Sequence, residues 1–117
     1  MDYRATRGTL AMQFNAVKRH FGRKITVTGI VIDTFIGKGD TVNILDKNQI
    51  FFLANVEVIE IKSAKKPKKP LVEASPGEAV TLLLGVRRAS EEGEEESEPS
   101  RIRRVRNGFF LAKPHSL

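Results

Sequence analysis

Histidine, serine, cysteine and paired carboxylates build most active sites, and in this 117-residue sequence they are poorly placed for catalysis. His20 and His115 are the only imidazoles and stand most of the chain apart. No serine lies in a G-x-S-x-G elbow, so a nucleophilic triad has no turn to present it. General acid–base work needs two carboxylates across a cleft. Here six of the 14 acids crowd into one run, Glu91 to Glu98. The run has the composition of a solvated loop, which collects cations only loosely. With no cysteine there is neither a disulfide nor a thiolate metal site, and no ligand spacing suggests zinc. A phosphate-cradling G-x-x-x-x-G-K-[ST] loop is also absent, since Gly37-Lys38-Gly39-Asp40 has only the form of a turn. The expectation is a non-catalytic chain with no cofactor and no metal.

The cations are more informative. The formal net charge is +6, but setting aside the acidic run leaves eight acids against 20 bases, a net +12 on the remainder. Such a body attracts phosphate backbones or other polyanions. One group is Lys62, Lys65, Lys66, Lys68 and Lys69, in and beside a loop at 63–70 stiffened by Pro67 and Pro70. Lysine suits non-specific phosphate contact because it acts as a point charge. A purely solubilising loop would have the same composition, and both readings stand. The other group is Arg101, Arg103, Arg104 and Arg106, where alternation around Ile102 and Val105 would turn the guanidinium groups outward. Arg23, Lys24, Arg87 and Arg88 extend either patch.

These residues need a scaffold, and the apolar pattern supplies one. Val, Ile, Leu and Phe occur in short runs, with no Trp and one Tyr, which favours strands. Residues 1–13 read as an N-terminal tail. Leu10, Phe14, Val17 and Phe21 have helical spacing, yet the segment is short and rich in β-branched and aromatic residues; helix and strand both remain open, strand favoured. From Lys24 the pattern is a strand buried over much of both faces. Ile36 to Asp40 is a turn into a strand at Thr41 to Leu45, and Asp46-Lys47-Asn48 turns the chain into Gln49 to Leu53. Val56 to Ile61 is a further strand. Ser75-Pro76-Gly77-Glu78 is a turn, Ala79 to Val86 an apolar strand, 89–100 an acidic mobile loop and 115–117 a C-terminal tail. Six or seven short strands imply an all-β barrel or sandwich. The two glutamines, the lack of cysteine and the abundant charge fit a chain kept at high temperature.

Four phrases in order carry a family resemblance. Val27-Thr28-Gly29 followed by Ile36-Gly37-Lys38-Gly39-Asp40-Thr41-Val42-Asn43-Ile44 resembles the opening hairpin of domain 2 in elongation factor Tu-like translation GTPases, V-T-G then I-x-x-G-D/E-x-V-x-I. Glu73 to Val86 is similar to that domain's A-x-x-G-D/E-x-V-x-L-x-L-x-G-I/V. Ile102 onward, ending Asn107-Gly108-Phe109-Phe110-Leu111-Ala112-Lys113-Pro114, resembles its closing I-x-x-G-x-V-L-A-K-P. Phe14, Val17, Gly22 and Arg23 stand where its lead-in strand and turn place an apolar pair and a Gly-Arg.

The resemblance covers about residues 14 to 114 and implies a small closed six-stranded, Greek-key-like β-barrel. The acidic insertion after Arg88 and the proline-rich loop depart from the pattern. With no nucleotide-binding loop in the sequence, the expectation is a stand-alone binding module without the family's GTPase domain. In the family, a T-G-V-E-M glutamate helps receive the terminal adenosine of aminoacyl-tRNA. The matching stretch is Asn55-Val56-Glu57-Val58, where Asn55 replaces the glycine, so Glu57 reads more readily as an ordinary exposed strand residue. Gly29 would mark a bend or a close backbone approach.

The leading functional expectation is binding of structured RNA, ribosomal RNA or tRNA, through the basic face. The alternative is a protein–protein adaptor in a translation or RNA-modification ribonucleoprotein, a role a similar barrel has in the H/ACA pseudouridylation particle. A small-molecule enzyme ranks third. The acidic run reads as a solvated loop, with an RNA-mimicking brake as a further hypothesis. A cytoplasmic monomer without membrane association completes the expectations, since no apolar run approaches the roughly 18 residues of a membrane span.

Overall fold

Alternation of apolar and polar residues resolves into nine strands in a computed structural model, which describes residues 8–20, 23–65, 68–86 and 101–114. The strands are β1 (Thr9–Arg19), β2 (Lys24–Val31), β3 (Ile36–Gly37), β4 (Thr41–Leu45), β5 (Phe51–Ser63), β6 (Pro70–Leu71), β7 (Glu73–Ala74), β8 (Ala79–Val86) and β9 (Phe110–Lys113). Neighbours run β4-β9-β1-β2-β8-β5, and β4 also pairs with β5, so six antiparallel strands close into a barrel. The run β9-β4-β5-β8 has Greek-key order. Closure removes the free edges that a small sheet would otherwise expose.

The interior is filled by the inward parity of each strand. Ile25, Val27 and Val31 of β2 face Val80, Leu82 and Leu84 of β8, with Phe14, Ile44, Val58, Ile61 and Leu111 completing the core. β2 is buried on one face only: Thr26 and Thr28 are half-buried and Ile30 is exposed, so the expectation of two covered faces holds for half of it. Gly29 lies at a close approach. A Cβ built there would meet the Gln13 carbonyl oxygen at 2.2 Å, beside a bulge where β1 slips register between Phe14 and Ala16.

Several boundaries move. The barrel begins at Thr9, so residues 9–13 belong to β1 rather than to a tail, with Ala11 and Met12 fully buried. The segment with helical spacing is strand through Arg19. The two strands expected at Gln49–Leu53 and Val56–Ile61 are one, β5, which starts only at Phe51 and bends at Asn55, whose φ of 58° is left-handed. That bend places Phe51–Glu57 against β4 and Val56–Ser63 against β8. A bulge that adds one residue to one strand kinks it in this way, and here it closes the barrel. Pro70 does pair, opposite Lys62, as the first residue of β6, where its missing N–H costs little. The basic loop therefore shortens to 64–69.

Two elements cover the barrel's ends. At one, Ile36 and Ala74 of the β3–β7 pair are fully buried. At the other, Arg101–Val105 forms a tight turn beginning in helical conformation, with Arg104 N–H donating to Arg101 O and Val105 N–H to Ile102 O. This corrects the expected strand alternation. Ile102 and Val105, three residues apart, both point inward and are fully buried. Residues 1–7, 21–22, 66–67, 87–100 and 115–117, including Lys66, Arg87, Arg88 and the acidic run, lie outside the described residues.

Candidate nucleic-acid interface

Among the described residues, the closing segment builds the densest cationic site. Because Ile102 and Val105 anchor the turn in the core, Arg101, Arg103, Arg104 and Arg106 are all exposed. Their placement is fixed from both sides. Arg19 at the end of β1 donates from Nε to the Arg103 carbonyl at 2.6 Å, and Arg101 donates to the Phe52 carbonyl at 3.0 Å. The Arg101 guanidinium also lies 5.4 Å from the centre of the Phe52 ring, and Phe52 meets Phe109 edge-on at 5.1 Å. Arg101 is thus partly structural, a cation held over an aromatic face. Among the described residues no carboxylate forms an ion pair with Arg101, Arg103, Arg104 or Arg106.

Beside this turn a surface concavity of about 340 Å³ is lined by Val17, Arg19, Val105, Arg106 and Asn107. Its two arginines and one amide are hydrogen-bond donors, an arrangement suited to a phosphate oxygen. Arg19 was not among the sequence candidates. Its role depends on Arg103, 84 positions away, and a single arginine ending a strand gives no local signal. Arg23 and Lys24 join the same end, since Lys24 pairs with Gly85 and the Arg23 carbonyl accepts from Val86 N–H.

The lysine loop does not join them. Ser63 pairs with Val80 and Ala64 N–H donates to Ala79 O, which puts Lys65, Lys68 and Lys69 near the start of β8. Arg23 is at its end. Seven residue steps separate Ala79 from Val86, roughly 24 Å at strand rise. Between the two clusters runs the outer wall of β5, β8 and β2, where His20, Thr26, Glu60, Lys62, Thr81 and Leu83 line a shallow groove of about 240 Å³. His20 hydrogen-bonds Thr26, and Thr28 bonds Thr81 at 3.2 Å.

Glu57 is half-buried in β5, between Thr41 of β4 and Gly85 of β8, rather than freely exposed. Asp40 is used structurally: its Oδ2 accepts from Gly37 N–H at 2.8 Å and pairs with Lys113 at 3.1 Å. No group of three or more histidine and carboxylate side chains that could hold a metal occurs among the described residues. Nor is any helix among them long and apolar enough to cross a membrane. No protein-family model matches the chain, and comparison with curated proteins finds no relative.

Proposed function

We propose that this chain is a non-catalytic binding module of the translation-factor domain 2 type, engaging structured RNA such as ribosomal RNA or tRNA through its arginine-rich end. The observation that carries this is the outward display of Arg103, Arg104 and Arg106 by a turn whose apolar residues close the barrel. Cations fixed on a rigid support lose less freedom on meeting a phosphate backbone than cations on a flexible tail. The family resemblance supports the same class of partner. The cluster carries no base-reading geometry, so binding is backbone-led and strongly salt-dependent.

The test is retention of RNA by the purified chain from a native lysate, with one half treated with nuclease, followed by direct titration with a tRNA and a ribosomal RNA fragment at low salt. RNA that co-purifies, is lost on nuclease treatment and dissociates as salt rises supports the proposal. Undetectable binding at low salt would sink it. A protein that stays bound through nuclease and high salt would favour the adaptor role instead.

A further inference from the structure

Two neighbouring rungs of the ladder cross the outer wall between the lysine loop and the arginine end. On one, Thr26 of β2 stands opposite Leu83 of β8, and Leu83 opposite Glu60 of β5. On the next, Thr28 stands opposite Thr81, and Thr81 opposite Lys62. Cross-strand partners share a face, and the alternate residues Val27, Leu82 and Ile61 are buried in the core, so both rungs point outward. All but Thr28 join His20, from beyond the end of β1, in lining the shallow wall groove.

The hydroxyls of the groove are held in place. His20 Nε2 bonds Thr26 Oγ1, and Thr28 Oγ1 bonds Thr81 Oγ1 at 3.2 Å. A hydroxyl has one donor and two acceptor sites, so Thr26 and Thr81 each keep hydrogen-bonding capacity beyond these contacts. Both are half-buried, whereas His20, Glu60 and Lys62 are exposed.

Charge decides what fits there. The lysine loop lies near the start of β8 and Arg23 and Lys24 near its end, while the groove sits at mid-strand on Thr81 and Leu83. One acid, Glu60, and one base, Lys62, stand there on adjacent rungs, so the mid-wall lacks the cationic excess of the two ends. A phosphate oxygen only accepts hydrogen bonds and is repelled by a carboxylate. A polyanion that reaches both clusters must therefore present another group at mid-wall, one able to donate to Glu60. The ribose 2′-hydroxyl meets this requirement, because it both donates and accepts and is displayed in the wide, shallow minor groove of an A-form helix. A convex barrel wall fits that groove and not the narrow, deep minor groove of B-DNA, whose sugars have no such hydroxyl. An acidic peptide would meet Glu60 with like charge.

We propose that the wall groove reads ribose 2′-hydroxyls in the minor groove of an RNA duplex, with Glu60 accepting and the Thr26 and Thr81 hydroxyls completing the hydrogen bonds. This rests on the RNA-binding proposal. It assigns attraction to the cationic clusters and the choice of RNA over DNA to the wall between them.

The experiment uses the whole chain and three hairpins of matching sequence whose stems reach both clusters: RNA, DNA, and RNA with 2′-O-methyl groups in the stem. The methylated stem keeps the A-form shape, but its 2′-oxygen cannot donate. Fluorescence anisotropy at low salt is expected to show RNA bound about tenfold tighter than either of the others, the worth of one or two hydrogen bonds. Glu60→Ala and Thr81→Val should each lower the RNA-to-DNA ratio about threefold or more. The salt slope should stay unchanged, because neither substitution removes a phosphate contact. Circular dichroism and melting temperature check that both variants fold. Arg103, Arg104 and Arg106 changed together to glutamine should weaken RNA and DNA alike and keep the ratio. Equal affinity for RNA and DNA overturns the hydroxyl-reading groove while nucleic-acid binding itself stands. Equal affinity for RNA and its methylated form does so too, since shape alone would then be the selector, as does a ratio that survives both wall substitutions. If none of the three probes binds, both proposals fall.

Discussion

Replacing Gly29 with alanine tests whether the barrel's strand packing, and not merely its composition, depends on the Val-Thr-Gly phrase. A Cβ at this position would sit 2.2 Å from the Gln13 carbonyl oxygen and 3.1 Å from Met12 Cε. A carbon–oxygen contact settles at roughly 3.3 Å or more. The β1 and β2 backbones would have to part by about 1 Å at that point. The obstacle is backbone in a register already bulged between Phe14 and Ala16, so no rotamer change relieves it. Overpacking of this kind costs about 1–3 kcal/mol, and an immovable neighbour places it at the upper end. The alanine restricts the unfolded chain, which returns about 0.4–1 kcal/mol. The net is a loss of about 2 kcal/mol, or roughly 8 °C in melting temperature for a domain of this size. Gly85→Ala is the matched control: its Cβ would meet Ile59 Cδ1 at 2.8 Å, the free end of a side chain that can turn away. It should cost less than about 1 kcal/mol. Thermal and urea unfolding followed by circular dichroism give both values. If Gly29→Ala lies within about 0.5 kcal/mol of wild type, or unfolds less readily than Gly85→Ala, the close approach does not constrain the fold.

Neutralising Arg103, Arg104 and Arg106 together to glutamine should lower the slope of log affinity against log salt by about two to three, one phosphate contact per arginine. Melting should be unchanged, because no described hydrogen bond uses those three side chains, and a salt titration of RNA affinity beside a thermal scan checks both statements. Asp46→Ala removes the acceptor for the Asn48 and Ile50 amides and should cost about 1–2 kcal/mol in urea unfolding.

The parts of the fold legible in the sequence are those where the chain keeps a strict period of two. β2 alternates throughout and β8 does so as far as Leu84, and Pro76-Gly77 marks the turn before β8 because Gly77 sits at φ 93°. Legibility fails where bulges shift the parity. β1 slips register between Leu10 and Met12 and again between Phe14 and Ala16, so its apolar spacing lengthens from two to three or four and imitates a helix. β5 reads as two strands for the same reason, its parity broken at Asn55. In the closing segment a spacing of three between Ile102 and Val105 cannot place both inside on a regular strand, and that was a usable sign of a turn. The arginines themselves were legible as a cluster. Arg19, the wall groove and the separation of the lysine loop from the arginine end were not, because each depends on pairings between residues far apart in sequence.

Under the RNA-binding proposal, that separation limits which RNA can use the whole basic surface. The closed barrel has no long free strand edge among the described residues, so recognition falls to its ends and outer walls rather than to strand addition. The lysine loop and the arginine end stand roughly 24 Å apart along β8. An A-form RNA helix rises less per pair than the about 3.4 Å of B-DNA, so it must run for more than about seven base pairs to touch both. Hairpins of graded stem length would then divide into two classes. For short stems, Lys65, Lys68 and Lys69 changed together to glutamine should leave affinity unaltered, while the arginine changes weaken it. For stems beyond that length, both sets should matter, and the salt slope should rise as the second cluster engages. The hydroxyls of Thr26 and Thr81 and the Lys62 ammonium on the intervening wall offer contacts along such a path. If the lysine changes weaken short and long stems equally, the clusters attract RNA as diffuse charge and the wall between them is not a track.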